Sequence, residues 1–255
     1  MIDEEEGAAD GGQMTLMEHL TELRKRLIIS LIAVTVCAVV MFILYNRVLH
    51  FLSGPYEKVT RGQAACGGTK TKGCDLIVTG PLDPFLVRLK IAGYGGIGLA
   101  IPIIFWQIWR FVTPALRKNE RRYTVAFLLS SVVLFALGGV VAWFTIDKAL
   151  SFLLGVGGNS IQPFITADKY LTLVTLMLIA FGVSFEFPLL IIGLLLVRVV
   201  NTRQLRHARR WVIIGITLFA AVITPSQDPF SLLFMAIPMY LFYEIAILIG
   251  RLMKR

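Results

Sequence analysis

An all-α membrane protein with six spanning helices is the fold class this sequence predicts, on three observations. Of 255 residues, 56% are hydrophobic and only 16% are charged, against about a quarter charged in soluble domains. The apolar residues gather into runs at roughly 27–45, 91–112, 125–144, 171–197, 211–223 and 230–249, most of them near the ~20 residues that carry a helix across a bilayer. Finally, the basic residues fall between these runs and do so unevenly. With the N-terminus in the cytoplasm, 16 of the 25 Lys and Arg lie on that side, as the positive-inside rule requires. Both termini are therefore expected to be cytoplasmic. The net charge of +9 does not point to nucleic acid, because no single stripe collects it.

Residues 1–14 open with Asp3, Glu4, Glu5 and Glu6 and are expected to form a disordered acidic tail; residues 15–255 form one transmembrane domain. No cleavable targeting peptide is read here, since the first apolar run is too long and too late. Thr15-Leu16-Met17-Glu18 matches a capping box, and Leu16, Leu20, Leu23 and Leu27 recur at helical spacing. A helix is thus predicted to lead straight into the first span. The longest connection, about 46–84, contains Ser53-Gly54-Pro55, Gly67-Gly68 and Gly80-Pro81, which predict short pieces and turns. Cys66 and Cys74 lie there, either closing a small disulfide loop worth about 2–3 kcal/mol or standing as two free thiols. Cys37, inside the first span, reads as inert packing.

In the second run, Gly93-Tyr94-Gly95-Gly96-Ile97-Gly98 fits a dinucleotide-binding spacing. No strand precedes it, so that reading fails. Ala92, Gly96 and Ala100 read instead as a close helix-packing face, with a bend at Pro102. The fourth run carries Glu186 at its middle and Pro188 just after it. A charge at mid-bilayer costs about 2.5–3.5 kcal/mol on insertion scales, so such an acid is expected to face a polar concavity. The alternative is a protonated Glu186 satisfied by a neighbouring helix. Pro188 should bend or loosen the helix beside it. The fifth run is short, about 20 Å of helix against a ~30 Å hydrocarbon core, and returns through Thr224-Pro225-Ser226-Gln227-Asp228-Pro229. Glu244 in the sixth run is expected to snorkel or to pair with Arg251 or Lys254. Trp106, Trp109, Trp143 and Trp211 all fall near predicted helix ends, where indoles favour the interface.

Nothing in the chain reads as a catalyst. His19, His50 and His207 lie in separate segments, no Cys/His cluster has metal spacing, and neither a nucleophile elbow nor a phosphate loop is present. No cofactor and no metal are expected. What remains is acid set among bases: Glu22 in His19-Leu20-Thr21-Glu22-Leu23-Arg24-Lys25-Arg26, and Glu120 in Pro114-Ala115-Leu116-Arg117-Lys118-Asn119-Glu120-Arg121-Arg122. Each has a local alternative, Glu22 with Arg26 and Glu120 with Arg117, and exposed pairs of that kind contribute little.

These two stretches, together with Phe111-Val112-Thr113-Pro114, Phe181-Gly182-Val183-Ser184-Phe185-Glu186-Phe187-Pro188 and Ala236-Ile237-Pro238-Met239-Tyr240, resemble the TatC family. That family is the multispanning signal-peptide receptor subunit of the twin-arginine protein translocase, and the resemblance runs from about residue 14 to the end. It implies a non-enzymatic receptor in the bacterial inner membrane. Such a receptor binds paired arginines on folded precursor proteins, and export is driven by the proton-motive force. It further implies a curved, glove-shaped bundle with short fifth and sixth spans. Glu22 and Glu120 would hold the paired arginines, with Leu23, Arg24 and Phe111 beside them. Glu186 would face the concave side. The fifth and sixth spans, from Trp211 to Ile223 and from Phe230 to Ile249, would dock single-span TatA or TatB-type subunits. Self-association and surrounding membrane lipid are implied as well. The sequence departs from a common family pattern at Leu232-Leu233, where some members carry Gln-Thr. A proton-coupled solute carrier with Glu186 as its titrating group is the competing reading; it lacks the inverted repeats such carriers often show.

Overall fold

The computed structural model describes residues 16–61, 76–112, 124–156, 165–196 and 199–252. Thr15, Cys66, Cys74, Arg117 and Glu120 lie outside the described residues, and with them the capping box, the disulfide question and the second predicted acid. The described chain forms eight helices: α1 (Leu16–Ile43), α2 (Tyr45–Thr60), α3 (Asp83–Val112), α4 (Thr124–Val156), α5 (Ala167–Phe185), α6 (Phe187–Leu196), α7 (Thr202–Ile223) and α8 (Pro229–Leu252).

Five segments are long and apolar enough to cross a membrane: Leu20–Ile43, Asp83–Phe111, Val125–Val156, Ala167–Leu196 and Pro229–Leu252. The run expected at 211–223 lies in α7 but is not among them, because the first half of that helix carries Arg203, Arg206, Arg209 and Arg210. Large apolar side chains such as Leu31, Ile43, Leu129, Phe144, Leu218 and Val222 stand exposed around the bundle. So much outward apolar surface requires lipid, not water. The chain is a multi-pass membrane protein.

The α5–α6 segment is the centre of the bundle. In its most apolar window 61% of residues are buried, against none in α1. Val174, Met177 and Phe181 pack with Met235, Met239, Tyr243 and Ile247 of α8. At Gly138 of α4 an added Cβ would stand 2.6 Å from the carbonyl oxygen of Phe181, so α4 and α5 approach backbone to backbone. The α1–α3 seam is equally close. Ala92 and Ala100 are buried, and a Cβ on Gly96 would lie 2.6 Å from the Cα of Ala38. The predicted small-residue face is therefore the face that meets α1.

Two departures from the sequence reading have local physical causes. The breakers Ser53-Gly54-Pro55 do not end α2; Pro55 sits inside it. Proline opens the ladder, and the hydroxyl of Tyr170 closes the gap. It accepts from the Tyr56 N–H at 3.2 Å and donates to the Leu52 carbonyl at 2.7 Å. A side chain from α5 is thus spliced between residues four apart, in place of their direct bond. The third span was expected to end near residue 144, but α4 runs to Val156. Trp143 is consequently mid-helix, stacked on Phe51 at 4.2 Å, and Trp109 is buried against Phe127. Both indoles are engaged in packing, Trp109 close to the end of α3; Trp211 is exposed.

The expected loosening at Glu186 is present. α5 stops at Phe185, α6 starts at Phe187, and the Glu186 N–H reaches back only three residues, to the Val183 carbonyl at 3.1 Å. Pro188 has no N–H to offer the Ser184 carbonyl, so the four-residue ladder breaks there. At the α7–α8 turn, Asp228 accepts from the Ser231 N–H at 2.8 Å and caps α8. Thr224, Ser226 and Asp228 are buried, and Gln227 takes the left-handed backbone at φ 49°.

Pairwise contacts define the two ends of the bundle. Gly96 meets Ala38, Gln107 meets Arg26, and the Phe42 carbonyl meets Arg88, so α1 and α3 are antiparallel. Trp109 touches Gly193 and Phe127, and Leu195 and Thr202 crowd Gly250. The start of α1, end of α3, start of α4, end of α6, start of α7 and end of α8 therefore share one end. Arg24, Lys25, Arg26, Arg110, Arg203, Arg206, Arg209, Arg210 and Arg251 belong to that end. At the opposite end, Lys58 pairs with Asp147, and Lys90 with Asp168 at 2.6 Å.

Gly96 supplies a direct test of the α1–α3 seam. Gly96→Ala is expected to lower the thermal unfolding temperature in detergent, because an overpacked contact costs about 1–3 kcal/mol. Gly93→Ala has open space around its Cβ and is expected to be neutral or slightly stabilising. Equal effects of the two substitutions would refute the close-approach assignment.

Candidate functional site

Among the described residues, two clefts at the basic end pair an acid with open volume: one of about 290 Å³ beside Glu244 between α7 and α8, and a larger one between α1 and α3. Met17, Thr21, Glu22, Lys25, Arg26 and Ile29 of α1, with Gln107 and Arg110 of α3, line an opening of about 710 Å³. Helical spacing puts the α1 residues on one face, and the antiparallel register sets that face against the last turns of α3. The 22→26 pairing follows from the same geometry, since residues four apart are neighbours on a helix surface. Glu22 accepts from the Arg26 guanidinium, and Arg26 also reaches the Gln107 Oε1 at a long 3.5 Å. The two side chains retain only 13% and 22% of their exposure, so the pair is shielded by the helix seam. Arg26 Nε is buried with no hydrogen-bond partner among the described residues.

Of the residues singled out from the sequence, Glu22 lines the cleft. Leu23 and Arg24 are exposed and do not line it; at one and two residues from Glu22 they occupy other faces of α1. Phe111, partly buried, follows Arg110 directly, one residue beyond the α3 lining. Sequence reasoning missed Gln107, Arg110 and Lys25 as lining residues. Gln107 carried a usable signal: it is a lone amide within an apolar run, and such a group seeks a partner. A larger open hollow, about 1150 Å³, runs along Arg203–Trp211 of α7. Its lining is basic and holds no carboxylate, so it offers nothing to a cationic ligand.

Glu186 occupies a second polar point, deep between helices. It is 2% exposed and accepts from the Ser131 hydroxyl of α4 at 2.9 Å. Its carboxyl is therefore turned into the α4–α5 interface, where a neighbouring helix supplies a partner. Ser131 was not anticipated. It stands beside Ser130 in an otherwise apolar run, and nothing in the sequence marks which of the two faces Glu186. Among the described residues Glu244 does not pair with Arg251, and Lys254 lies outside them. Arg209 of α7 donates to it at 2.6 Å and the Tyr240 hydroxyl at 3.2 Å. The antiparallel α7–α8 packing brings Arg209 alongside, a contact that spacing along α8 could not disclose.

Among the described residues no three His, Cys, Asp or Glu side chains gather as a metal site. Helices, ion pairs and an acid-bearing cleft at one end define a multi-pass membrane protein with a polar cleft at its basic end. Comparison with known proteins gives the particular family. The model of the Sec-independent protein translocase protein TatC matches residues 18–238, and the chain belongs to that family. It is 41% identical to the TatC protein of Frankia casuarinae over 96% of this chain and 68% of that one. It is 36% identical to TatC of Aquifex aeolicus over 95% and 97%. A crystal structure of the twin-arginine translocase receptor TatC superposes with a TM-score of 0.75 at 35% identity, covering 93% of this chain and all of that one. The family is one of translocase components, not enzymes.

The Glu186–Ser131 contact makes a measurable prediction. Ser131→Ala removes the described partner of a buried carboxyl, and leaving such a group unsatisfied costs about 1–3 kcal/mol. Unfolding in mixed micelles with rising SDS should shift accordingly in Ser131→Ala. An unchanged midpoint would mean that the hydroxyl contributes nothing.

Proposed function

We propose that this chain is the receptor core of a twin-arginine translocation system, with Glu22 and Glu120 as the carboxylates that receive the paired arginines of a precursor's signal peptide. The observation that carries the reading is the placement of Glu22 in an open cleft at the basic end, beside the last turn of α3. The segment that contains Glu120 begins directly after that helix. A planar guanidinium fork matches carboxylate geometry in two parallel bonds, which lysine cannot reproduce. Leu23, Arg24 and Phe111 flank the same region and are proposed as secondary contributors.

The remaining assignments follow the same reading. The basic end faces the cytoplasm of a bacterial inner membrane, with both termini there, and α7 serves as the short fifth of six crossings and thins the bilayer locally. The exposed apolar faces of α7 and α8, including Ile214, Leu218, Phe234 and Leu241, are proposed docking surfaces for single-span TatA or TatB-type subunits, which would assemble there under the proton-motive force. Self-association would use similar outward surfaces. Glu186 is proposed as an intramembrane polar point that such partners engage once Ser131 gives way.

Glu22→Ala and Glu120→Ala are each expected to weaken binding of a twin-arginine peptide by about 10- to 100-fold, the equivalent of one charge-assisted hydrogen-bonding site. Photo-crosslinking from both positions to a precursor, in membranes where the variants insert normally, measures this. Wild-type crosslinking in both variants would end the proposal.

A further inference from the structure

The carboxylate assigned to the incoming arginine is already occupied by an arginine of the chain itself. We propose that Arg26 is an intramolecular competitor for Glu22, so that peptide recognition is an exchange of one guanidinium for another. The inference rests on the reading of Glu22 as a receptor for arginine.

Four observations carry it. The Arg26 guanidinium lies on the Glu22 carboxylate, and both side chains are largely shielded. Gln107 holds the other terminal nitrogen of Arg26 at 3.5 Å, and Nε has no partner among the described residues, so the guanidinium is only partly satisfied where it rests. Glu22 is the single acid among the described lining residues, facing Lys25, Arg26 and Arg110. With Glu22 neutralised by Arg26, the described lining presents Lys25 and Arg110 with no further carboxylate and disfavours a cationic peptide. An incoming arginine can therefore engage Glu22 only by taking it from Arg26. Gln107 gives the displaced guanidinium a neutral acceptor beside its original place. The exchange conserves the number of guanidinium–carboxylate contacts, so it is nearly balanced at Glu22.

The sign of the effect separates competition from positioning. A competitor lowers apparent affinity by the fraction of time it leaves the site free, and it does so equally for every ligand of that site. If Arg26 instead held Glu22 in a productive rotamer, its loss would weaken binding. An exposed pair at this spacing corresponds to about twofold occupancy bias, and shielding raises it. Arg26→Gln is therefore expected to tighten binding by about three- to tenfold.

The test uses the full chain in lipid nanodiscs and fluorescently labelled signal peptides carrying Arg-Arg or Lys-Lys, with association and dissociation followed separately. Arg26→Gln should tighten both peptides by the same factor, with the gain in the association rate, since Arg26 is already off the carboxylate in the bound state. Arg26→Lys, which keeps charge and helix pairing, should show a smaller gain and serves if Arg26→Gln unfolds on heating at a markedly lower temperature. In Glu22→Gln, the added Arg26→Gln should bring no gain, because the two substitutions act on one contact. Weaker or unchanged binding in Arg26→Gln and Arg26→Lys, with Glu22→Gln still impaired, overturns the exchange alone. Wild-type binding in Glu22→Gln overturns the reading of Glu22 itself.

Discussion

The backbone contact between Gly96 and Ala38 sets the geometry on which the functional end depends. Without a side chain at residue 96, α3 can lie directly on α1, and in antiparallel order this fixes the vertical register of every other pair along the seam. Eleven residues further along α3, that register places Gln107 opposite Arg26. One more turn brings Arg110 to the cleft that holds Glu22. A shift of one residue would rotate this acid away from α3 altogether. The charge arrangement at the membrane surface is thus a consequence of small-residue packing deep in the span, where apolar side chains gain nothing from leaving lipid and close contact decides association.

The interior follows a second constraint: the broken backbone ladders and the buried carboxyl of Glu186 find partners inside the protein. Pro55 breaks α2 and the Tyr170 hydroxyl repairs it. Pro188 ends α5, and the Glu186 exposed by that break finds Ser131. Asp228 caps α8 at the buried α7–α8 turn. Every repair comes either from the next turn or from a different helix. The repairs from other helices tie the bundle together, α2 to α5 and α5 to α4, so the polar groups add connectivity that apolar packing alone would not specify.

The charges divide by the same logic. At the end opposite the cleft, Lys58 and Lys90 meet aspartates from other helices. At the cleft end, Arg203, Arg206, Arg210 and Arg251 are exposed, and the described acids Glu22 and Glu244 are each engaged by an arginine of the chain itself. A surface so rich in cations would exclude a cationic peptide unless a carboxylate were released locally. A partly shielded pair of modest strength is suited to that release, whereas a fully buried one would be too costly to open.

Membrane residence, the apolar runs, the small-residue face of the second run and the weakness beside Glu186 were all legible in the sequence. Each depends on composition or on spacing within a single helix. Glu22 and its i+4 relation to Arg26 were legible for the same reason. The continuation of α2 through Pro55, the length of α4, the partner of Glu186, the pairing of Glu244 with Arg209 and the part played by Gln107 were decided only by tertiary structure. Apart from the length of α4, each of these needs a group from another helix. A linear sequence states which residues share a face. Which face meets which, and at what height, is set by three-dimensional packing.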